Sequence, residues 1–245
     1  MSSQQTVHLP DTDVLLGWVE EGQALLEERV APLDDAGVAA ASRLPGWTRG
    51  HVLTHLARNA DALVNLLTWA RTGTPTPMYP STEARNAGIE AGSARPIAEQ
   101  RDDLVVTARR FMATARAMGR GDWAGVVQSA QGRHIPGSEI PWMRVREVWI
   151  HLADLDVGPG FEVLPDEVAR ALVLDVAGWM DGRVSERVEL AGAGIDVRFG
   201  GTPDQRQVRV HGTPQALAEW LVGRSRGDAL EVGGGGAIPE LPRWL

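Results

Sequence analysis

Two helix-forming segments, about ninety residues apart, carry three side chains of the types that bind divalent metals. His55 lies in the first segment, residues 46–57, and Glu147 and His151 lie in the second, residues 146–154. Glu147 and His151 are four residues apart, so a helix places them on the same face. Two imidazoles and one carboxylate suit a divalent metal with an open coordination position. Most Glu-x-x-x-His pairs are solvated surface neighbours, so the spacing alone does not establish such a site.

The first segment offers two histidines, His51 and His55, which are also four residues apart. His55 shares its side of the helix with Val52 and Leu56, close to the apolar stripe, whereas His51 lies nearer Arg58. A ligand in the core of a bundle must point inward, which favours His55. His51 then either supports a ligand or is simply solvated.

The composition excludes several classes of protein. The net charge of −8 argues against nucleic-acid binding, although local arginines can still bind small anions. The absence of Cys excludes a disulfide scaffold, a zinc–thiolate site and a thiol nucleophile supplied by the protein. No run approaches the roughly 18 apolar residues of a membrane span, and no signal peptide is apparent. We therefore expect a cytoplasmic protein that binds neither nucleic acid nor membrane. A monomer is expected, although nothing in the composition establishes the oligomeric state.

The helical periodicity of apolar residues predicts a helix bundle over residues 1–160. Gly73, Pro75 and Pro77 end the helix that carries His55, and a long connection follows it. The stretch from Gly119 to Pro141 is irregular, with room for a short hairpin. The predicted helices run from Asp11 to about Val30, Thr48 to Thr72, Ser81 to Ala91 (a short one), Pro96 to Met118 and Trp142 to Leu155.

The pattern changes after residues 156–160, where we place a domain boundary. Short alternating runs punctuated by glycines are typical of strands, so residues 161–245 are predicted to form a smaller α+β domain. Its predicted helices are Pro165–Met180 and Pro214–Val222, and its strands are Arg187–Leu190, Ile195–Phe199, Gln207–Val210 and Ala229–Val232.

Beyond these patterns, the chain resembles a known superfamily. Trp47-Thr48 ahead of Val52-x-x-His55-Leu56-Ala57, followed by Glu147-x-x-x-His151, is similar to the DinB-like metalloproteins, which are four-helix bundles. Further stretches across the whole chain resemble the mycothiol-dependent maleylpyruvate isomerases. They are Thr76-Pro77-Met78-Tyr79 with Glu83-Ala84-Arg85-Asn86, Ala130-Gln131-Gly132-Arg133, Trp142-Met143-Arg144, Gly223-Arg224 and Pro242-Arg243-Trp244-Leu245.

The resemblance implies a zinc enzyme of gentisate catabolism that converts maleylpyruvate, a dicarboxylate, to fumarylpyruvate with mycothiol as the thiol cofactor. It implies zinc ligation by His55, Glu147 and His151 and functional roles for Arg224 and Arg85. Because Arg224 belongs to the second domain, we expect the active site in a cleft between the two domains.

This expectation agrees with the chemistry of the residues. Reversible addition of a thiolate to a double bond allows rotation, and a chain without Cys needs an external thiol. Two alternatives remain: a mycothiol S-transferase acting on another electrophile, and a non-catalytic DinB-like metal-binding stress protein. The loop from Thr76 to Asn86 favours the isomerase, and an intact triad with a cleft arginine argues against the non-catalytic protein.

Overall fold

The computed structural model describes residues 9–202 and 204–244, so Leu245 of the closing segment lies outside the described ranges. Contacts between Cα atoms divide the chain into two compact units, one spanning Pro10–Gly160 and the other beginning at Phe161. The first unit is helical. Its elements are α1 (Thr12–Val30), α2 (Asp35–Ala39), α3 (Arg49–Thr72), α4 (Thr82–Ser93), α5 (Ile97–Arg116), a hairpin of β1 (Val126–Gln128) and β2 (His134–Pro136), and α6 (Ile140–Asp154).

The four long helices α1, α3, α5 and α6 form the bundle and bury their apolar faces against one another. α3 packs against α5, α4 and α6, so its inward side is almost completely closed to solvent. α6 packs against α1, where the Trp149 indole donates a hydrogen bond to the Trp18 carbonyl at 3.0 Å. Gly22 of α1 lies directly beneath that indole and leaves no space for a side chain. This packing fixes the rotation of α6 about its axis, and that rotation determines where Glu147 and His151 point.

The ends of the site helices follow from local chemistry. Gly73 adopts a φ of 71° at the end of α3, a conformation that favours glycine. α6 begins at Ile140, two residues earlier than predicted, because Pro141 is tolerated in the first turn of a helix. α2 was not predicted at all. It has only five residues, and the Asp34 side chain caps it by accepting from the Gly37 amide at 2.7 Å.

The second unit contains a four-stranded sheet and two helices, α7 (Asp166–Met180) and α8 (Pro214–Leu221). The strand order is β4-β3-β5-β6, with β3 parallel to β5 and the other two pairs antiparallel. The strands are β3 (Arg187–Gly192), β4 (Ile195–Phe199), β5 (Gln207–His211) and β6 (Glu231–Val232).

The predicted fold class is confirmed: a four-helix bundle is followed by a smaller α+β unit. The last strand is shorter than predicted, and the hairpin lies within the irregular stretch where space was expected for it. Among the described residues, no helix is both long and apolar enough to cross a lipid bilayer.

Candidate metal centre

The bundle brings His55 of α3 together with Glu147 and His151 of α6. The His55 Nε2 atom lies 2.8 Å from Glu147 Oε2, although the two residues are 92 positions apart. His151 Nε2 lies 3.3 Å from the same oxygen. One ligand atom from each residue falls within 4.8 Å of the others. Ligands at about 2.0–2.2 Å in a tetrahedral zinc site lie about 3.3–3.6 Å from one another. The separations here lie on both sides of that range, so the three atoms are close enough to share one ion.

The charges of this cluster are strongly coupled. His55 is only 5% exposed, and this burial lowers its pKa. Burial alone would raise the pKa of Glu147, but the neighbouring His55 and hydrogen bonds from both imidazoles hold that pKa well below its ordinary value. Burial alone would lower the pKa of His151, but hydrogen bonds to Asp154 and Glu147 raise it to about 9. A carboxylate that remains ionised between two imidazoles is suited to bind a cation.

Asp154 supports His151 from the opposite side of the ring. Its side chain is fully buried, and its Oδ2 atom lies 2.8 Å from His151 Nδ1. A carboxylate on one ring nitrogen directs the other nitrogen toward the ligand position. Asp154 was not predicted as part of the site, although a carboxylate three positions after a candidate ligand on a helix could have suggested it.

The His51 side chain makes contacts that were not predicted from the sequence. Its Nδ1 atom accepts a hydrogen bond from the Thr48 amide at 3.1 Å, while the Thr48 hydroxyl caps the His51 amide. The imidazole thus occupies the place that Glu or Gln holds in most capping boxes. His51 Nε2 lies 3.2 Å from Glu90 Oε2, so the side chain is engaged at both ring nitrogens. The interpretation that His51 is simply solvated is wrong.

Arg85 reaches the cluster from α4. Its Nη2 atom lies 3.3 Å from His55 Nδ1, and its guanidinium carbon lies 5.8 Å from the centre of the Tyr79 ring. Because a guanidinium can only donate, the His55 Nδ1 atom accepts and Nε2 carries the proton that faces Glu147. The loop and helix that follow α3 therefore place one cation at the edge of the triad.

Arg144 lies one turn before Glu147 on α6 and is fully buried. Its guanidinium donates to the Leu56 carbonyl at 2.8 Å and to Asn59 Oδ1 at 3.1 Å. Burial lowers its pKa to about 10, while the Glu147 carboxylate acts in the opposite direction. A second cation thus lies in the bundle core near the triad, at a position for which no role was predicted from the sequence.

Arg224, the other arginine of interest, follows α8 in the second unit. Its backbone amide donates to the Glu219 carbonyl at 2.9 Å, and its Nη1 atom donates to the Val222 carbonyl at 3.1 Å. These hydrogen bonds go to carbonyl groups at the C-terminal end of α8. A catalytic role for Arg224 stays a prediction.

Comparisons with known proteins identify the family. Residues 19–156 match the model of the mycothiol maleylpyruvate isomerase N-terminal domain. A crystal structure of a mycothiol-dependent maleylpyruvate isomerase is 34% identical to this chain, with a TM-score of 0.86 over 100% of both chains. A structure of a histidine-to-alanine mutant of such an isomerase gives 33% identity and the same TM-score and coverage.

A more distant structure supports the bundle alone. YfiT from Bacillus subtilis, described as a probable metal-dependent hydrolase with an unusual four-helix bundle topology, is 19% identical with a TM-score of 0.51. The match covers 63% of this chain and 86% of that one. No curated protein matches the chain. The family match and the similarity over the full length confirm the resemblance noted from the sequence: the chain belongs to the mycothiol-dependent maleylpyruvate isomerase family.

Proposed function

We propose that this protein isomerises maleylpyruvate to fumarylpyruvate with a bound zinc ion and mycothiol. The observation that carries the proposal is the convergence of His55, Glu147 and His151. They converge in a chain that is similar over its whole length to an enzyme of that name. Zinc is the metal expected for two imidazoles and one carboxylate with an open position.

The metal and the thiol, when bound, supply a thiolate that adds to the carbon–carbon double bond and leaves after rotation. The protein has no Cys that could perform this role itself. His55, Glu147 and His151 would hold the metal, and Asp154 would keep the His151 Nε2 atom directed toward it.

Arg85 would bind a carboxylate of the substrate. It donates to His55 Nδ1 only while that nitrogen lacks a proton. When His55 Nε2 serves as a ligand, the ring proton resides on Nδ1, and the guanidinium is then available to a planar carboxylate. Arg224 would bind or stabilise the second negative charge of the dicarboxylate. The place in gentisate catabolism, the monomeric state and the cytoplasmic location stay predictions.

The direct test mixes zinc-loaded protein, mycothiol and maleylpyruvate and follows the ultraviolet absorbance and the product. We expect fumarylpyruvate to form while the amount of free mycothiol stays constant. Stoichiometric loss of mycothiol into a stable adduct would instead indicate a transferase. No turnover in the presence of both zinc and thiol would contradict the proposed reaction.

The role of Arg224 can be tested separately. Arg224→Ala should lower kcat/KM by about a hundredfold, the size expected for loss of one group that stabilises developing charge. Metal content should not change. Arg226→Ala removes an exposed arginine two positions later and serves as the matched control. Equal activity of the two variants would remove Arg224 from the proposed mechanism.

A further inference from the structure

Tyr79 is the single tyrosine of the chain, and the connection between α3 and α4 holds it in place. The Asn65 side chain on α3 donates to the Pro77 carbonyl at 3.2 Å and contacts the Met78 carbonyl at 3.5 Å. Met78 is 8% exposed, so the residue before Tyr79 is anchored in the core. The loop is thereby tied to the same helix that carries His55.

The surroundings of the Tyr79 ring connect it to the metal centre. The Arg85 guanidinium lies 5.8 Å from the ring centre and also contacts His55 Nδ1 at 3.3 Å. Tyr79 itself is half-buried, so part of the side chain remains accessible to a ligand. Burial and the negative charge of Glu147 raise the pKa of Tyr79, with Arg85 acting against them. The phenol therefore keeps its proton at neutral pH and is a hydrogen-bond donor.

We infer that Tyr79 is a further catalytic residue of the proposed isomerase, whose hydroxyl donates a hydrogen bond to the substrate's conjugated keto oxygen. The inference rests on the proposed function. As the bond to the thiol sulfur forms, the electron pair of the carbon–carbon double bond moves onto this oxygen. The pair returns as that bond breaks, so no proton is gained or lost by Tyr79. A hydrogen-bond donor held beside Arg85 stabilises the keto oxygen most when the negative charge on that oxygen is largest.

The first test is Tyr79→Phe, which removes the hydroxyl and keeps the ring next to Arg85. We expect kcat to fall by about a hundredfold. KM should change little, because the hydrogen bond strengthens mainly as charge develops. Zinc content and the urea midpoint of unfolding should match those of the unsubstituted protein. If the unsubstituted protein isomerises maleylpyruvate and Tyr79→Phe has the same kcat, the inference fails alone. If the unsubstituted protein is inactive, the proposed function fails first.

The second test does not depend on turnover. Because Tyr79 is the only tyrosine, labelling with 3-fluorotyrosine gives one ¹⁹F resonance. In the zinc-loaded protein, 4-oxoheptanedioate, a saturated keto dicarboxylate, should shift this resonance, and the shift should saturate as the ligand concentration rises. Heptanedioate has the same length and charge but no keto oxygen, and it should leave the resonance nearly unchanged. No shift at saturating 4-oxoheptanedioate, or equal shifts with both ligands, would overturn the assignment.

Discussion

The protonation of His151 predicts a strong pH dependence of zinc affinity. Hydrogen bonds to Asp154 and Glu147 raise the pKa of His151 to about 9. At pH 7 the ring nitrogen that must bind zinc is therefore free of a proton in only about one molecule in 100. Displacing the proton at pH 7 costs about 2.7 kcal/mol relative to a ring that is already free of it. At pH 9 about half of the rings lack this proton, so we expect the apparent zinc affinity to rise by about fiftyfold between pH 7 and pH 9.

Asp154→Asn tests the cause of this dependence. The neutral amide removes one source of the raised pKa of His151, so the gain in affinity between pH 7 and pH 9 should be smaller. The affinity at pH 9 should itself fall about 10–100-fold, because the amide orients the ring less firmly. Asp156→Asn makes the same charge change two residues later, at a side chain that is 52% exposed and paired with Arg43. This control should behave like the unsubstituted protein.

Competition with nitrilotriacetate, corrected for the protonation of the chelator, measures these affinities. A zinc affinity of the unsubstituted protein that is the same at pH 7 and pH 9 would refute the role assigned to the His151 proton. Full retention of both the affinity and its pH dependence in Asp154→Asn would refute the role assigned to Asp154.

Three further outcomes are expected. His55→Ala should lose zinc and activity together, whereas His51→Gln, which keeps the helix cap, should retain both in metal analysis and the isomerase assay. Gly22→Ala should destabilise the protein by about 1–3 kcal/mol in urea unfolding, because the added Cβ meets an indole of α6. Gly17→Ala, on the same helix but with open space, should stabilise it by about 0.5–1 kcal/mol. Without metal, the folded-state pKa of His151 exceeds its ordinary value of 6.5, so its contribution to stability is complete below pH 6.5 and is lost as the pH rises through about 9. Thermal unfolding of metal-free protein that is constant over this range would contradict that contribution.

The helices and strands were predictable because their apolar spacing reflects burial on one face. α3 and α6 carry such patterns together with end signals such as Gly73 and Pro141. α2 escaped prediction because five residues are too few to show a period. The inward position of His55 was also predictable, since its neighbours on the helix are apolar.

The sequence by itself determined the order of the helices, the likeness to the isomerase family and the residues able to bind a metal. It could not show that Glu147 Oε2 lies 2.8 Å from His55 Nε2. Nor could it show that Asp154 orients His151 or that Arg85 contacts His55. These contacts depend on the rotation of α6 about its own axis and on the path of the loop to α4. Packing such as that of Trp149 over Gly22 sets this rotation, and it acts between residues far apart in the chain. Only the tertiary structure decides such contacts, because periodicity specifies which face is buried but not which side chains meet there.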